Sequence, residues 1–198
     1  SAVLAVAGAP SWRQYAGGRV DDLQARGLAP LSGMSLAENA INTDFRFYHG
    51  RVDPGPMRPA YVEELSKHIA TLGVPYREKW FDTGHDLLYL VTRHGRIFDE
   101  LKDVRRKSRP TEVRLVSGDY RANRQHWVTV VRQHAYPELA RVVARVDGER
   151  VRVETTNTAE LSLALAEAPL PTSGDFAVEV DGQVVYNGPR EALGATLL

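Results

Sequence analysis

Two short loops hold the side chains best suited to chemistry. The first, Tyr48-His49-Gly50-Arg51-Val52-Asp53, carries an aspartate just past a glycine. The second, Phe81-Asp82-Thr83-Gly84-His85-Asp86, carries a histidine directly after one. An aspartate beside a histidine fixes the imidazole tautomer and stabilises the imidazolium, as a general base serving a hydroxyl nucleophile requires. Asp53 and His85 are therefore the candidate acid and base. Neighbouring residues have plainer uses. His49 sits at a strand end and reads as structural, and Asp86 is placed to accept orphan N–H groups in the first turn of a following helix. His49, Asp53 and His85 together match no standard metal-ligand spacing. No metal or other cofactor is assigned.

Elements of the right kind flank both loops. Phe45-Arg46-Phe47-Tyr48-His49 is aromatic-rich and alternating, as a strand requires, and Gly50 ends it. Pro54, Gly55, Pro56 and Pro59 break the connection. Val62, Leu65, Ile69 and Leu72 then recur at helical spacing, with Pro59 near the first turn and Gly73 past the end. Tyr76 to Phe81 reads as another strand, and the apolar positions from Leu87 to Val104 predict a second helix. Strand, helix, strand, helix implies right-handed crossovers on a parallel sheet. Loops at the carboxyl ends of such strands share one edge, so Asp53 and His85 are expected there, near hydrogen-bonding distance. The run Ser1-Ala-Val-Leu-Ala-Val-Ala-Gly8 reads as a strand buried on both faces, with neighbours on one side missing from the chain. A fragment or a cleavage product is expected, and the open edge of this first strand should contact a second polypeptide.

The pattern changes at Lys102–Pro110, a charged stretch whose basic run Arg105–Arg109 reads as a solvated linker. Beyond it Val113/Leu115, Trp127/Thr129/Val131, Val142/Ala144/Val146 and Val151/Val153/Thr155 alternate with period two. Asp147-Gly148 and Asp181-Gly182 lie between such runs and predict hairpin tips with type I′ turns. His126-Trp127 suggests a sugar-stacking indole beside a polar group, but alternation places Trp127 in the core. The expected architecture is an α/β portion over residues 1–108, a parallel sheet with flanking helices, followed by an all-β antiparallel sandwich over 109–198.

Composition narrows the function classes. Twenty-five basic residues balance 25 acidic ones at a pI near 7.0, which lacks the basic excess of a nucleic-acid-binding module. No cysteine is present, so disulfides, thiolate zinc sites and cysteine nucleophiles are excluded, and the compartment is left open. No apolar run approaches the roughly 18–20 residues that span a bilayer.

The pattern His49-Gly-x-x-Asp53, helix, Gly84-His85-Asp86 resembles the C-terminal half of α/β-hydrolases, especially prolyl-oligopeptidase-like peptidases and related esterases. In that family the chain order is serine, acid, histidine. The resemblance implies that Asp53 is the acid and His85 the base of a triad, and that Ser1–Gly8 is the strand following the nucleophile helix. It covers roughly residues 1–105, and the tail is similar to a β-rich extension of some bacterial members.

The departure from the family is the nucleophile. No G-x-S-x-G elbow occurs, and Ser11, Ser32, Ser35 and Ser66 lack the flanking glycines that the strained turn needs. The expected function is the C-terminal part of a serine esterase or peptidase, inactive alone, acting on an ester or peptide substrate. Its partner would be the N-terminal hydrolase portion, or a second copy, joined through the first strand. The alternative is a non-catalytic binding or structural module derived from a hydrolase.

Overall fold

The computed structural model describes residues 2–6, 8–17, 19–93, 96–190 and 196–197. The chain divides into two compact units, Ser1–Lys107 and Ser108–Leu198. In the first, strands β1 (Ala2–Val6), β2 (Asp44–Gly50) and β3 (Tyr76–Phe81) form a parallel sheet in the order β1-β2-β3. Helices α1 (Trp12–Tyr15) and α2 (Asp22–Leu28) occupy the first crossover and α3 (Pro59–Thr71) the second. Helices α4 (Leu87–Thr92) and α5 (Arg96–Leu101) follow β3.

The central strand alternates between two apolar clusters. Phe45 and Phe47 pack with Val62, Ile69 and Val74 on the α3 side. Tyr48 packs with Leu87 and Val91, and with Leu4 and Val6 of β1, on the α4 side. Each fully buried side chain of this kind contributes about 1.5–3 kcal/mol. Burial, not tight turns, therefore joins three strands that are remote in sequence. Pro59 opens α3 with its fixed φ, and Gly73, at φ +64°, ends it in the left-handed conformation.

Three sequence expectations for this unit change. The helix expected over 87–104 is two short ones: Arg93, at φ −58° and ψ 130°, leaves helical backbone after α4. Leu87 and Val91 anchor that turn, whereas Leu88, Tyr89, Leu90 and Phe98, partly counted as its apolar face, are exposed. The first strand has the expected open edge but not the expected burial on both faces. Both its faces are partly covered, but among the described residues it pairs only with β2, and Val3 is 48% exposed. Residues 9–43, where the pattern predicts no element, hold α1, α2 and 3-10 turns at Ala29–Leu31 and Ala37–Asn42. These helices are fixed at their N-termini: Ser11 accepts the Gln14 N–H, and Asp21 and Gln24 form a reciprocal capping box.

The second unit contains β4 (Glu112–Ser117), β5 (Arg124–Gln125), β6 (Val128–Gln133), β7 (Ala140–Asp147), β8 (Arg150–Thr156), β9 (Thr158–Leu163), β10 (Asp175–Val180), β11 (Gln183–Pro189) and β12 (Thr196–Leu197). They form a five-stranded sheet, β11-β10-β8-β7-β4, and a four-stranded one, β12-β9-β6-β5. Side chains of both sheets share one core, including Val113, Leu115, Val128, Val130, Val142, Val151, Leu161, Leu163, Phe176 and Val178. The five-stranded sheet is not wholly antiparallel as expected, because β10 runs parallel to β8. After β8 the chain crosses at Asn157 (φ +50°) into the other sheet as β9, and it returns beside β8 in the same direction.

The turns also differ in detail. Asp181 and Gly182 both have positive φ, the type I′ pattern. Asp147 instead ends β7 opposite Arg150, so the loop is Gly148-Glu149; positive φ at Gly148 alone follows a type II′ pattern. Trp127 is buried as expected, but in the turn between β5 and β6, where its indole N–H donates to the Pro110 carbonyl. With Trp127 in the turn, the strand buries Val128 and Val130, opposite in phase to the predicted Thr129 and Val131 set. Among the described residues, no helix is long and apolar enough to cross a membrane.

Candidate functional site

Because β2 and β3 are parallel, the loops that follow them leave the same edge of the sheet. Gly50 is the hinge of their contact. A Cβ at this position would lie 2.3 Å from the Thr83 carbonyl oxygen and 2.7 Å from that of Gly84, so only glycine lets the backbones approach. The contact is then bonded directly: Arg51 N–H donates to Phe81 O at 2.8 Å, and Val52 N–H to Thr83 O at 3.2 Å.

This seam brings Asp53 to His85. The Asp53 side chain is 1% exposed and that of His85 62% exposed. His85 Nδ1 lies 3.4 Å from both carboxylate oxygens and hydrogen-bonds to Oδ2, while Oδ1 is buried with no hydrogen-bond partner among the described residues. The separation is long for an N–H···O bond, as catalytic contacts often are before substrate binds. With Nδ1 turned to the acid, Nε2 is the nitrogen available to a nucleophile. The arrangement can hold one imidazole tautomer and stabilise its protonated form.

The remaining residues singled out by sequence fall as follows. His49 is buried at the end of β2, and its Nε2 donates to the Met57 carbonyl, 3.9 Å from Asp53 Oδ2. His49, Asp53 and His85 thus meet, but a nitrogen that donates to a carbonyl carries a proton and has no lone pair for a metal. Among the described residues, no group of three or more ligating side chains suits a metal ion. Asp86 occupies the N-cap position of α4, yet its side chain makes no capping bond there; only its carbonyl accepts, from Tyr89 N–H at 3.2 Å. Ser11 is occupied as a helix cap, and Ser66 Oγ lies within bonding distance of Val62 O and Glu78.

Two features escape sequence reasoning. The first is an apolar cleft of about 230 Å³ lined by Ala9, Ser11, Trp12, Tyr15, Leu31 and Met57. Ala9 follows β1 and Met57 follows β2, so the cleft opens on the edge that carries Asp53 and His85. The second is a charged network at the start of β2. Buried Arg46 donates to Asp44 through Nε at 2.7 Å and Nη2 at 2.8 Å, and Arg77 adds a bond to Asp44 at 2.9 Å. Glu100 of α5 accepts from the Tyr48 hydroxyl and Lys79. The Arg46 hydrogen bond holds the Asp44 carboxyl below its ordinary range, and the Tyr48 hydrogen bond does the same for Glu100. Burial, then Glu100, pushes the Tyr48 phenol up. Comparison of the sequence with protein-family models and with curated proteins returns no match.

Proposed function

We propose that the first unit supplies the acid and base of a Ser-Asp-His hydrolase of the α/β-hydrolase, prolyl-oligopeptidase-like type. One observation carries this reading: the contact of exposed His85, through Nδ1, with the buried Asp53 carboxylate at 3.4 Å. A serine Oγ would attack the carbonyl of an ester or peptide as His85 Nε2 takes its proton. Asp53 would steady the imidazolium until that proton passes to the leaving group, and water would then release the acyl group by the same route. The cleft between Trp12, Tyr15, Leu31 and Met57 suits a compact apolar group of the substrate.

The sequence holds no G-x-S-x-G elbow, so in this reading the serine lies on an N-terminal hydrolase portion outside these residues. We place that portion against the free edge of β1, a strand of apolar residues with unpaired backbone groups on its outer side among the described residues. The test is reconstitution with the polypeptide encoded immediately upstream, assayed on a p-nitrophenyl ester. Turnover is expected only in the mixture, and His85→Ala should abolish it. A stable mixture with no turnover, or turnover that survives His85→Ala, overturns the hydrolase reading and favours the non-catalytic module.

A further inference from the structure

We infer that His49 is a positioning residue for this pair: it closes the loop that carries Asp53 and keeps the carboxylate available to His85. The inference rests on the acid–base reading above. His49 is 2% exposed, a burial that an imidazole tolerates only when its polar atoms are placed. Its Nε2–H donates to the carbonyl of Met57. Because a carbonyl only accepts, that nitrogen carries the proton. The bond ties the last residue of β2's side-chain row to the far end of loop 50–57. The near end is held by Gly50 against Thr83 and Gly84. Asp53 lies between these two fixed points.

The same bond explains why two imidazoles do not compete for one acid. His49 Nε2 is 3.9 Å from Asp53 Oδ2, beyond hydrogen-bonding distance, with its proton directed to Met57. Asp53 is left to His85. Trp80 meets the His49 ring edge-on, 5.5 Å between centroids at 76°, which holds the ring plane. Met57 also lines the apolar cleft, so one side-chain bond connects the position of the acid to the wall of the proposed substrate site.

The test is nitrogen-15 spectroscopy of the histidines in the full chain at pH about 8.5, above the ordinary imidazole range. The unmodified chain should show His49 protonated on Nε2 and His85 on Nδ1. His49→Phe, which keeps a ring but loses the donor, should convert the His85 pattern to that of Asp53→Asn. His49→Gln, whose amide can donate to the same carbonyl, should retain the unmodified pattern. A His49 carrying its proton on Nδ1 overturns the inference, and this is read on the unmodified chain even if His49→Phe does not fold. So does a His85 pattern kept in His49→Phe but lost in Asp53→Asn. A pattern unchanged in Asp53→Asn would instead overturn the acid–base reading itself.

Discussion

Strand β2 begins with one aspartate and is followed by another, and the two are treated in opposite ways. Asp44 receives both arms of Arg46 at 2.7 and 2.8 Å and a third bond from Arg77. Asp53 is more deeply buried, yet it has one long bond to an exposed histidine and one oxygen with no hydrogen-bond partner among the described residues. A carboxylate whose acceptors are filled by fixed guanidinium groups belongs to the structure. A buried carboxylate left half satisfied costs stability, and such sites are retained where chemistry uses the unmet bond. Charge alone would rank the two residues alike, and burial would make Asp53 the more structural of the two. Their satisfaction separates them.

The largest expected effect lies at the structural end. Arg46→Ala removes the two-armed partner of Asp44 and one of the cations facing Glu100. Removing one member of a buried ion pair costs about 3–5 kcal/mol because the other charge stays behind. Asp44 retains Arg77 and some exposure, so a loss near the lower limit of about 3 kcal/mol is expected in urea titration. Arg46→Met, which keeps the stem but not the charge, should lose somewhat less; a loss near zero in Arg46→Met would mean that packing rather than charge is what Arg46 provides.

Next comes the seam between the loops. Gly50→Ala forces a Cβ against two carbonyl oxygens of the backbone, which have no rotamer by which to yield. Overpacking of this kind costs typically about 1–3 kcal/mol. The same shift should carry residues 83–85 away from Asp53. A nitrogen-15 His85 pattern matching that of Asp53→Asn is therefore expected alongside the lowered urea midpoint. Lost stability with His85 still held on Asp53 would show that the seam is not what aligns the site.

A smaller effect separates the two ends by pH. The folded carboxyls of Asp44 and Glu100 titrate below their ordinary values of 3.8 and 4.5. Their contribution is complete above those values and is lost as pH falls through the lowered ones. Tyr48 is shifted the other way, so its contribution holds below its ordinary 10.0 and fades as pH rises past it. Glu100→Gln should therefore flatten the acid limb of the stability curve while shifting midpoint stability by no more than about 1 kcal/mol, since Glu100 is partly exposed. An unchanged acid limb would remove Glu100 from the structural network.

What the sequence discloses follows the same division. Asp53, His85, Gly50 and the strand–helix–strand frame around them are legible because each leaves a local signal: a glycine at a strand end, a proline at a helix start, apolar period. Arg46 and Glu100 leave none, because their partners are 2 to 54 residues away and only the fold selects them. The capping box at Asp21 and Gln24 was a readable signal for α2 that apolar periodicity, absent in so short a helix, does not amplify. In the β-rich unit, period two identifies the strands but not their phase at β6, because Trp127 fills the core from a turn. Nor can local pattern show that β10 returns parallel to β8, which is decided by the crossover through the other sheet.

The smallest expected effect is the most discriminating. Asp53→Asn removes a buried charge that is only half satisfied, so it should leave stability within about 1 kcal/mol of the parent and on the favourable side, as at many sites where function is retained at the expense of stability. Asp82 provides the matched control. It sits in the His85 loop and pairs with Arg51 at 3.1 Å, but its side chain is 92% exposed. An exposed pair of this kind contributes about 0–1 kcal/mol. Asp82→Asn should therefore change neither the urea midpoint nor the His85 tautomer, while Asp53→Asn changes the tautomer alone. A tautomer that responds to both would mean that general negative charge around the loop, and not the buried carboxylate, orients His85. A destabilisation by Asp53→Asn as large as that of Arg46→Ala would make the two ends of β2 alike and assign Asp53 to the structure.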